Sequence, residues 1–549
     1  MIKKLIAIAM AAALSACAFS ACSSGNDNPS ASSQQSEASG TVQPQKAVQS
    51  TDNYRNFYQI FVYSFCDSNG DDVGDIPGIV SKLDYLNDGD PEKGDDLGID
   101  GIWLTPIAKS VSYHKYSVED YCSIDEEFGT MEDFEKLIAE CKKRGINVIT
   151  DLVVNHSSNR HEWFVKACEE INQGNPDGYA KYYHIVKEDD KTTGDKYYPI
   201  QGTDYYYEAN FSDTMPELNL SNPDVRAEIK KIMKFWLDKG VAGFRLDAIK
   251  YYDTGGDDGK DFCKWITDTA HELKKDSYII GENYSGTGQI SDWYSTGIDS
   301  QFNFPMSSAI GDYVNTTRTG NVKKLYSTMQ SWQKNIRSKN KNAIDSPFLS
   351  NHDMARSAAY LVGNLESEKL AAMLYMLSPG TPYIYYGEEL GLLGSDKDND
   401  GTYRLPMPWE GDEWDKILIP NTSVESAEDY IVTTVKDAQK DENSLFKTYQ
   451  QLIKLKLQNP EIARGTITRV IETGENYAAG YVIEYDGKKV VIFCNADKTE
   501  SFSGEISKSD CGYSGIAGQV TARSAGDSEQ AKLEGSTLTV PPMTAVILR

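Results

Sequence analysis

The chain has 549 residues, enough for about three or four domains and a large hydrophobic core. Its formal net charge of -27 and its isoelectric point near 4.7 disfavour nucleic-acid binding, which depends on neutralising phosphates with lysine and arginine. Tyrosine is the unusual residue type, with 34 tyrosines against 17 phenylalanines. Flat rings with a polar tip suit binding surfaces that are partly wet.

The amino terminus is predicted to be a bacterial lipoprotein signal. Residues 1–16 carry two early lysines and then an apolar run over 5–14, which is too short to span a bilayer. The run ends in Leu-Ser-Ala-Cys at Cys17, which resembles a lipobox and implies a lipid on Cys17. The alternative is an ordinary cleaved signal and release into the medium. Residues 17–52 are predicted to be a lipidated, flexible tether on the extracellular face of the cell membrane, with the lipid as the sole membrane anchor.

Strand patterns and helix patterns alternate along the middle of the chain. Alternation at this spacing favours parallel βαβ units. Eight units predict an α/β fold, a (β/α)8 TIM barrel formed by residues 53–155 and 216–462. The short apolar runs that predict its strands lie at 57–62, 100–106, 146–154, 241–246, 278–281, 298–304, 347–349 and 382–386.

Two further regions depart from this repeat. Asp151 and Asp247 are too far apart in sequence for one strand–helix unit, so an inserted domain of residues 156–215 is predicted after the third strand. From residue 463 to residue 549 the pattern changes to short alternating runs, with a hairpin signal at Asp486-Gly487. These runs predict a C-terminal antiparallel β-sandwich domain.

Polar side chains cluster at the carboxyl ends of four predicted strands, where barrel active sites are built. Three carboxylates around one mouth, with an arginine and histidines, suit cleavage of a glycosidic bond. That reaction needs a nucleophile, an acid that later acts as a base, and charge to support a cation-like sugar. For Arg245 and Asp247 taken alone, a buried structural ion pair is an equal alternative. The strand-end residues are Asn155, His156, Arg245, Asp247, Glu282, His352 and Asp353.

Six segments resemble the α-amylase family, glycoside hydrolase family 13, and the resemblance covers roughly residues 54 to 549. They are Asp151-Leu-Val-Val-Asn-His156, Gly243-Phe-Arg-Leu-Asp247, Gly281-Glu282-Asn283, Phe348-Leu-Ser-Asn-His-Asp353, Tyr113-His-Lys-Tyr116 and Met215-Pro-Glu-Leu-Asn219.

The resemblance implies a role for each matching residue. Asp247 would be the nucleophile, Glu282 the acid and then the base, and Asp353 a transition-state stabiliser that stays non-covalent. Arg245 would keep Asp247 ionised, and the reaction would retain stereochemistry, with the two reacting carboxyls about 5 to 5.5 Å apart. The implied substrate-binding residues are Tyr116, His114, His156, Arg245, Lys250 and His352.

A tight acidic loop, residues 67–75, follows the first strand. Its sequence Asp-Ser-Asn-Gly-Asp-Asp-Val-Gly-Asp places oxygen atoms at alternate positions, as calcium loops do, although the glycine and glutamate of an EF-hand are absent. It resembles the calcium loop of part of the family, and the alternative is an acidic turn held by Asx hydrogen bonds. A second, weaker acidic pattern at residues 396–401 is interpreted as a solvated turn. No organic cofactor is expected, and the predicted Ca²⁺ ligands are Asp67, Asn69, Asp71, the Val73 carbonyl and Asp75.

Linkage preference depends on a few positions near the nucleophile. Lys250 is similar to the lysine of α-1,4-acting amylases, and Ala248 replaces the valine that is common in 1,6-cleaving relatives. Residues 215–219 lie between the patterns of amylases and of oligo-1,6-glucosidases or neopullulanases. We therefore expect a monomer that hydrolyses α-1,4-glucosidic bonds of starch, maltodextrin and maltooligosaccharides. The alternatives are a neopullulanase, cyclomaltodextrinase or oligo-1,6-glucosidase with transglycosylation, and an inactive glucan-binding protein at the cell surface.

Overall fold

The computed structural model describes residues 40–549 except 92, 253–256, 396–399, 410–416, 418, 420–426 and 525–528. The predicted signal segment, Cys17 and the tether up to residue 39 lie outside the described residues, as do residues 396–399 of the weaker acidic loop. Within the described part of the chain, no helix is long and apolar enough to cross a membrane.

Eight parallel strands form the central sheet and confirm the predicted barrel. Each of the first six strands pairs with the next along the chain, and the eighth pairs with the first. A parallel bridge between Phe348 and Tyr383 joins the remaining two neighbours, supported by a 3.0 Å bond from the Tyr383 N–H to the Pro347 carbonyl. The strands are β1 (Phe57–Ile60), β2 (Gly101–Leu104), β3 (Asn147–Leu152), β4 (Gly243–Leu246), β5 (Tyr278–Gly281), β6 (Ser300–Phe302), β7 (Ile344–Ser346) and β8 (Tyr383–Tyr385).

Strand β7 lies earlier in the chain than residues 347–349, where it was predicted. Phe348 and Leu349 are buried, which explains the apolar signal. Residues Ile344–Ser346 nevertheless make the register with β6. Pro347 has no N–H to donate to a ladder, so regular pairing ends there and Phe348 makes only an isolated bridge.

Amphipathic helices surround the strands. The helix Met131–Lys143 illustrates how the sequence forms them, because a capping box between Thr130 and Asp133 begins it and two lysines end it. It buries Phe134, Leu137 and Cys141, which share one face at helical spacing. The other helices of the barrel are Val62–Phe65, Ile76–Ser81, Leu83–Leu86, Pro223–Asp238, Asp257–Leu273, Thr287–Trp293, Asp312–Thr319, Val322–Lys339, Ser357–Tyr360, Leu365–Met376, Val435–Lys440, Leu445–Gln458 and Pro460–Arg464.

The inserted domain follows β3 and contains one helix, Glu162–Asn172, and a small antiparallel sheet. Its strands are Ile185–Lys187, Tyr197–Pro199 and Tyr205–Glu208, with the last in the middle. The sheet and helix enclose a separate small core, and an antiparallel bridge between His156 and Glu217 joins the two ends of the insertion.

The C-terminal region forms two antiparallel sheets, as predicted. Asp486 and Gly487 both have positive φ, which a type I′ hairpin turn requires. The strands are β9 (Thr466–Glu472), β10 (Ala478–Tyr485), β11 (Lys488–Asn495), β12 (Phe502–Glu505), β13 (Ile516–Thr521), β14 (Lys532–Glu534), β15 (Thr537–Val540) and β16 (Thr544–Leu548). The larger sheet has the order β9-β10-β11-β16-β13 and the smaller one has the order β12-β15-β14.

Residues 40–52, the end of the predicted tether, contact the folded chain. The Val42 N–H donates to the Ile516 carbonyl at 2.9 Å, the Gln49 amide donates to the Arg144 carbonyl at 2.8 Å, and the Ser50 N–H donates to a buried carboxylate at 3.2 Å. The predicted tether therefore extends too far along the chain. Its composition gave little sign of this, because the contacts are mainly hydrogen bonds of backbone and amide groups, with Val42 as an apolar side chain packed on the core.

Candidate active site

A cavity of about 520 Å³ lies at the carboxyl ends of the barrel strands. The three predicted catalytic carboxyls, Asp247, Glu282 and Asp353, all line it. Four of the predicted substrate-binding residues line it as well, while the remaining two are buried behind its wall. The lining set is His114, Tyr116, His156 and Lys250, and the buried set is Arg245 and His352.

One guanidinium contacts three carboxylates at the base of this cavity. Arg245 donates from Nη1 to Asp151 and Asp247, and its Nη2 lies 3.1 Å from Glu282 Oε2. Residues two apart on β4 share a face, as the spacing predicted, and Asp151 stands beside Arg245 in the register of β3 with β4. Trp103 donates to the second oxygen of Asp151 at 2.8 Å. Sequence analysis missed Asp151 as part of this cluster.

Burial has a larger effect on the pKa of Asp247 than the charge of Arg245 has. Desolvation raises the pKa of Asp247 to about 8; Arg245 opposes the rise, and the nearby Glu282 and Asp151 carboxylates add to it. Burial also raises the pKa of Asp151 to about 6. Arg245 thus favours the ionised form of Asp247, in the direction that its implied role needs, but burial has the larger effect in the free site.

Glu282 is also held by the backbone that follows the nucleophile candidate. The Ala248 N–H donates to Glu282 Oε2 at 2.8 Å. Ala248 has a φ of 48°, in the left-handed region that a residue with a Cβ adopts at a cost. This turn carries the chain away from β4 and directs its N–H toward the second carboxyl, so the positions of Asp247 and Glu282 depend on each other.

Asp353 is positioned by different partners. Arg404 Nη2 lies 3.1 Å from its Oδ1, and His352 Nε2 lies 3.2 Å from its Oδ2. Burial lowers the pKa of His352 well below its usual range, so this ring is neutral. The Gln59 amide donates to its Nδ1 at 2.8 Å, which leaves the ring hydrogen on Nε2, facing Asp353 and the hydroxyl of Tyr116.

Arg404 is a site residue that sequence analysis missed. It is buried, contacts Asp353 and Asp400, and donates to the Tyr113 hydroxyl and to the His352 carbonyl. It lies in a long connection after β8, where neither strand spacing nor a strand-end motif marks it. A buried arginine within a loop has no local signal in a single sequence.

Lys115 is a second residue of this kind. It lies between His114 and Tyr116 with a φ of 63°, although it is not glycine. Its buried ammonium contacts Asp125 Oδ1 at 3.0 Å and also Glu127. The left-handed conformation costs about 1 to 2 kcal/mol, and this ion pair offsets it. Lys115 thereby fixes the loop that presents His114 and Tyr116 to the cavity.

The histidines that line the cavity are also neutral. Burial lowers the pKa of His114 and of His156 to about 4. His114 Nδ1 accepts the Tyr116 N–H at 3.1 Å, and His156 Nε2 lies 3.2 Å from the Tyr116 carbonyl. His156 Nδ1 is buried and has no hydrogen-bond partner among the described residues.

The acidic loop 67–75 is held by its own hydrogen bonds. Asp67 accepts the N–H groups of Asn69 and Gly70, and Asp71 accepts that of Val73. Asp75 accepts two further backbone N–H groups. Within the described residues, no three His, Cys, Asp or Glu side chains converge as metal ligands. These are the Asx hydrogen bonds of an acidic turn, and the calcium site stays a prediction.

Comparison with known proteins identifies the family. A family model described as "Alpha amylase, catalytic domain" matches residues 59–465. Alpha-amylase 3 of Dictyoglomus thermophilum is 37% identical over 473 residues, covering 84% of this chain and 89% of that protein. An oligo-1,6-glucosidase of Parageobacillus thermoglucosidasius is 31% identical over 524 residues, covering 81% and 90%. The solved structure of Eubacterium rectale Amy13B has a TM-score of 0.81 at 35% identity, covering 92% of this chain and 97% of its own. The chain is therefore a glycoside hydrolase that belongs to the α-amylase family, glycoside hydrolase family 13.

Proposed function

We propose that the protein hydrolyses α-1,4-glucosidic bonds of starch, maltodextrin and maltooligosaccharides through a covalent glycosyl-enzyme intermediate. The contact of one guanidinium, that of Arg245, with both Asp247 and Glu282 carries this proposal. Two carboxyls that share a guanidinium lie close enough to act on one anomeric carbon, as retaining glycosidases require. Asp353 lines the same cavity with its own cationic partner.

In the first step, Asp247 attacks the anomeric carbon while Glu282 protonates the leaving oxygen. This step needs the acid form of Glu282 and the ionised form of Asp247, which Arg245 favours. Asp353 supports the positive charge that develops on the sugar. Tyr116 stacks on the face of the sugar in the cleaved subsite, and His114 and His156 contact the same sugar from the cavity wall.

In the second step, Glu282 acts as the base. It removes a proton from water, the water oxygen attacks the anomeric carbon, and the ester bond to Asp247 breaks. Two inversions give overall retention, so the product is the α-anomer.

Two observations support cleavage of the α-1,4 linkage. Lys250 and Ala248 are similar to the residues of α-1,4-acting enzymes, and a relative 37% identical is named alpha-amylase. The second candidate is α-1,6 cleavage, because relatives 29% to 31% identical are named oligo-1,6-glucosidase. The pairing of all three catalytic carboxyls with arginine side chains argues against an inactive glucan-binding protein.

Product analysis separates these functions. Maltoheptaose, pullulan and isomaltotriose would each be incubated with the protein and with its Asp247→Asn variant. Short maltooligosaccharides from maltoheptaose alone are expected. Maltotriose from pullulan, or glucose from isomaltotriose, would replace the α-1,4 assignment with the second candidate, whereas panose from pullulan would indicate a neopullulanase, which cleaves α-1,4 bonds. Binding of glucan without any cleavage would indicate a binding protein.

We also propose the expected setting of this activity: a monomer held at the outer membrane face through a lipid on Cys17, with Ca²⁺ in loop 67–75. Each carboxylate of that loop keeps lone pairs beyond its N–H bonds, which is what calcium coordination needs. Labelling with a radioactive fatty acid, compared with a Cys17→Ala variant, tests the anchor. A rise in melting temperature with added Ca²⁺ that is lost in Asp71→Asn tests the metal; no rise would support the acidic turn.

A further inference from the structure

The loop that carries Asp353 holds a further buried arginine, Arg356. Arg356 lies three residues after Asp353, in the connection that follows β7, and is 1% exposed. The Ser357 N–H donates to Ser350 Oγ at 3.3 Å, which closes this loop around both residues. None of the proposed reaction steps uses Arg356, although burying a charge is costly unless contacts of the folded chain compensate it. The contacts of Arg356 therefore decide what it contributes.

Two tyrosines at the end of β8 hold the guanidinium of Arg356. Its central carbon lies 4.3 Å from the ring centroid of Tyr385 and 4.8 Å from that of Tyr386. Its Nη1 donates to the Tyr386 carbonyl at 2.7 Å, and the Arg356 backbone N–H donates to the Gly394 carbonyl at 2.8 Å. Its Nε and Nη2 have no hydrogen-bond partner among the described residues. A guanidinium over two aromatic faces attracts both rings and fixes their orientation.

The hydroxyls of the same two tyrosines hold the chain on both sides of Arg404. Tyr385 donates to the Tyr403 carbonyl at 2.9 Å, and Tyr386 donates to the Leu405 carbonyl at 2.5 Å. Arg404 is the cationic partner of the third catalytic carboxyl, with 3.1 Å between its Nη2 and the carboxyl Oδ1. The orientation of the two rings therefore helps to set where the guanidinium of Arg404 lies.

These contacts form a closed path that begins and ends at Asp353. The path follows the chain to Arg356, crosses the rings of Tyr385 and Tyr386, and returns through Arg404. These two arginines and two tyrosines, here named the arginine–tyrosine support, are all buried. The Asp353 side chain, in contrast, is 45% exposed. A carboxylate so exposed is held by its hydrogen-bond partners rather than by packing, so its position depends on the support.

We propose that Arg356 is a positioning residue that keeps Asp353 aligned with the transition state. It acts through the rings of Tyr385 and Tyr386, which hold the backbone on both sides of Arg404. This inference rests on the proposed function, because it needs Asp353 to support positive charge on the sugar. Fixed charges stabilise a transition state without reorganising at the moment of reaction, so a small displacement of the carboxylate lowers the rate.

Steady-state kinetics of the full chain test this role. Arg356→Met keeps an unbranched side chain and removes its charge. We expect kcat on maltoheptaose to fall about 10- to 100-fold and KM to change less than about threefold, because alignment with the transition state is lost and substrate binding is not. An arginine that served only the fold would lower the melting temperature and leave kcat per folded molecule unchanged. That result in Arg356→Met would overturn the proposal.

Arg55→Met is the matched control. Arg55 is also buried, and it donates to the carbonyls of Asp100 and Gly145 at the amino ends of the strands. Its loss should lower the melting temperature and leave kcat unchanged. A fall in kcat as large as that of Arg356→Met would show that the effect comes from lost stability rather than from lost alignment, and would overturn the proposal.

Two milder variants test the same path if Arg356→Met does not fold. Tyr385→Phe and Tyr386→Phe keep the rings and remove the hydroxyls that hold the chain beside Arg404. Each should lower kcat about fivefold, the contribution of one hydrogen bond. Tyr481→Phe is the control and should leave kcat unchanged, because Tyr481 is buried on β10 and donates to a backbone carbonyl away from the site. Wild-type kcat in both Tyr385→Phe and Tyr386→Phe would overturn the proposal.

A double variant separates this path from other routes. Arg356→Met combined with Arg404→Met should have a kcat within about threefold of Arg404→Met alone, because both substitutions act through the same contact with Asp353. Effects that multiply would show that Arg356 acts by another route and would overturn the proposal. If wild type cleaves maltoheptaose but the folded Arg356→Met variant keeps its kcat, the inference fails and the proposed function stands. If wild type does not cleave maltoheptaose, the proposed function fails, and the inference fails with it.

Discussion

The two walls of the catalytic cavity are held in place by different forces. On the charged wall, Arg245 contacts three carboxylates and Arg404 contacts Asp353, and both arginines are buried. On the aromatic wall, the ring pairs Phe211–Tyr251 and Tyr284–Phe304 lie on either side of Lys250. Phe211 is 44% exposed and Tyr284 is 57% exposed. Buried charges need fixed partners, since an unpaired one is costly. We therefore expect the charged wall to hold its groups in one geometry for catalysis and the aromatic wall to allow contact with a variable sugar chain.

The largest effect should come from the charged wall. Asp247→Asn removes the nucleophile but keeps the side-chain shape, so kcat on maltoheptaose should fall about 10⁴-fold or more. Binding of maltoheptaose, measured by calorimetry, should persist because the aromatic wall and the sugar-binding residues are intact. Activity of Asp247→Asn within tenfold of wild type would show that Asp247 is not the nucleophile. It would also contradict the assignment of catalysis to the charged wall.

Substitution of Arg404 should have the second-largest effect on kcat. Arg404→Met leaves Asp353 without its cation, and loss of one charge-stabilising contact typically lowers kcat about 10²- to 10³-fold. Arg404→Lys restores the charge but not the forked geometry and should recover part of the loss. Melting curves of both variants control for folding, because Arg404 also contacts Asp400. An unchanged kcat in a folded Met variant would show that Asp353 needs no fixed partner.

Lys115 offers a smaller test of how the charged wall is supported. Lys115→Ala loses the buried ion pair and keeps the left-handed strain, whereas Lys115→Gly loses the pair and relieves the strain. Both should lower kcat/KM about tenfold through a loosened Tyr116, and Ala should be less stable than Gly by about 1 kcal/mol. Lys143→Ala, which removes an exposed helix ion pair with Glu140, should change neither quantity. Equal stabilities of the Ala and Gly variants would contradict the strain argument.

The pH dependence of kcat/KM should show the smallest effect, and it tests the raised pKa of Asp247. Because the pKa of Asp247 is raised to about 8 in the free site, its carboxyl is mostly protonated below that pH and ionised above it. The nucleophile must be ionised to attack, so kcat/KM for maltoheptaose should rise as pH increases toward about 8. α-Maltosyl fluoride needs no protonation of its leaving group but needs the same nucleophile, so its kcat/KM should rise over the same range. A kcat/KM for the fluoride that does not change below about pH 8 would contradict a raised pKa of Asp247.

The charged wall was the part of the site that the sequence could predict. Asp247, Glu282 and Asp353 follow apolar strands, and their spacing along the chain places them at one mouth once the barrel is assumed. Strand β5 has its predicted bounds, while β7 was displaced because apolar residues after Pro347 are buried without joining the ladder. Strand-end motifs are local in sequence, which is why they could be found.

The residues that support the catalytic carboxyls could not be predicted, because their roles depend on contacts that are distant in sequence. Arg404 acts from a long loop, and its burial depends on contacts with residues far away in sequence. Lys115 has a conformation usually taken by glycine, and only the ion pair with Asp125 explains why a lysine is stable there. The pKa of Asp247 depends first on its burial and then on the arginine and carboxyls around it, which are properties of the folded site.

Accumulation of the covalent intermediate tests the central claim most directly. Glu282→Gln can still form the ester from α-maltosyl fluoride, which needs no acid, but lacks the base that hydrolyses it. Intact-protein mass spectrometry should show the addition of one maltosyl group, and peptide mapping should place it on Asp247. No adduct, or an adduct on Asp151 or Asp353, would contradict a retaining mechanism with Asp247 as its nucleophile.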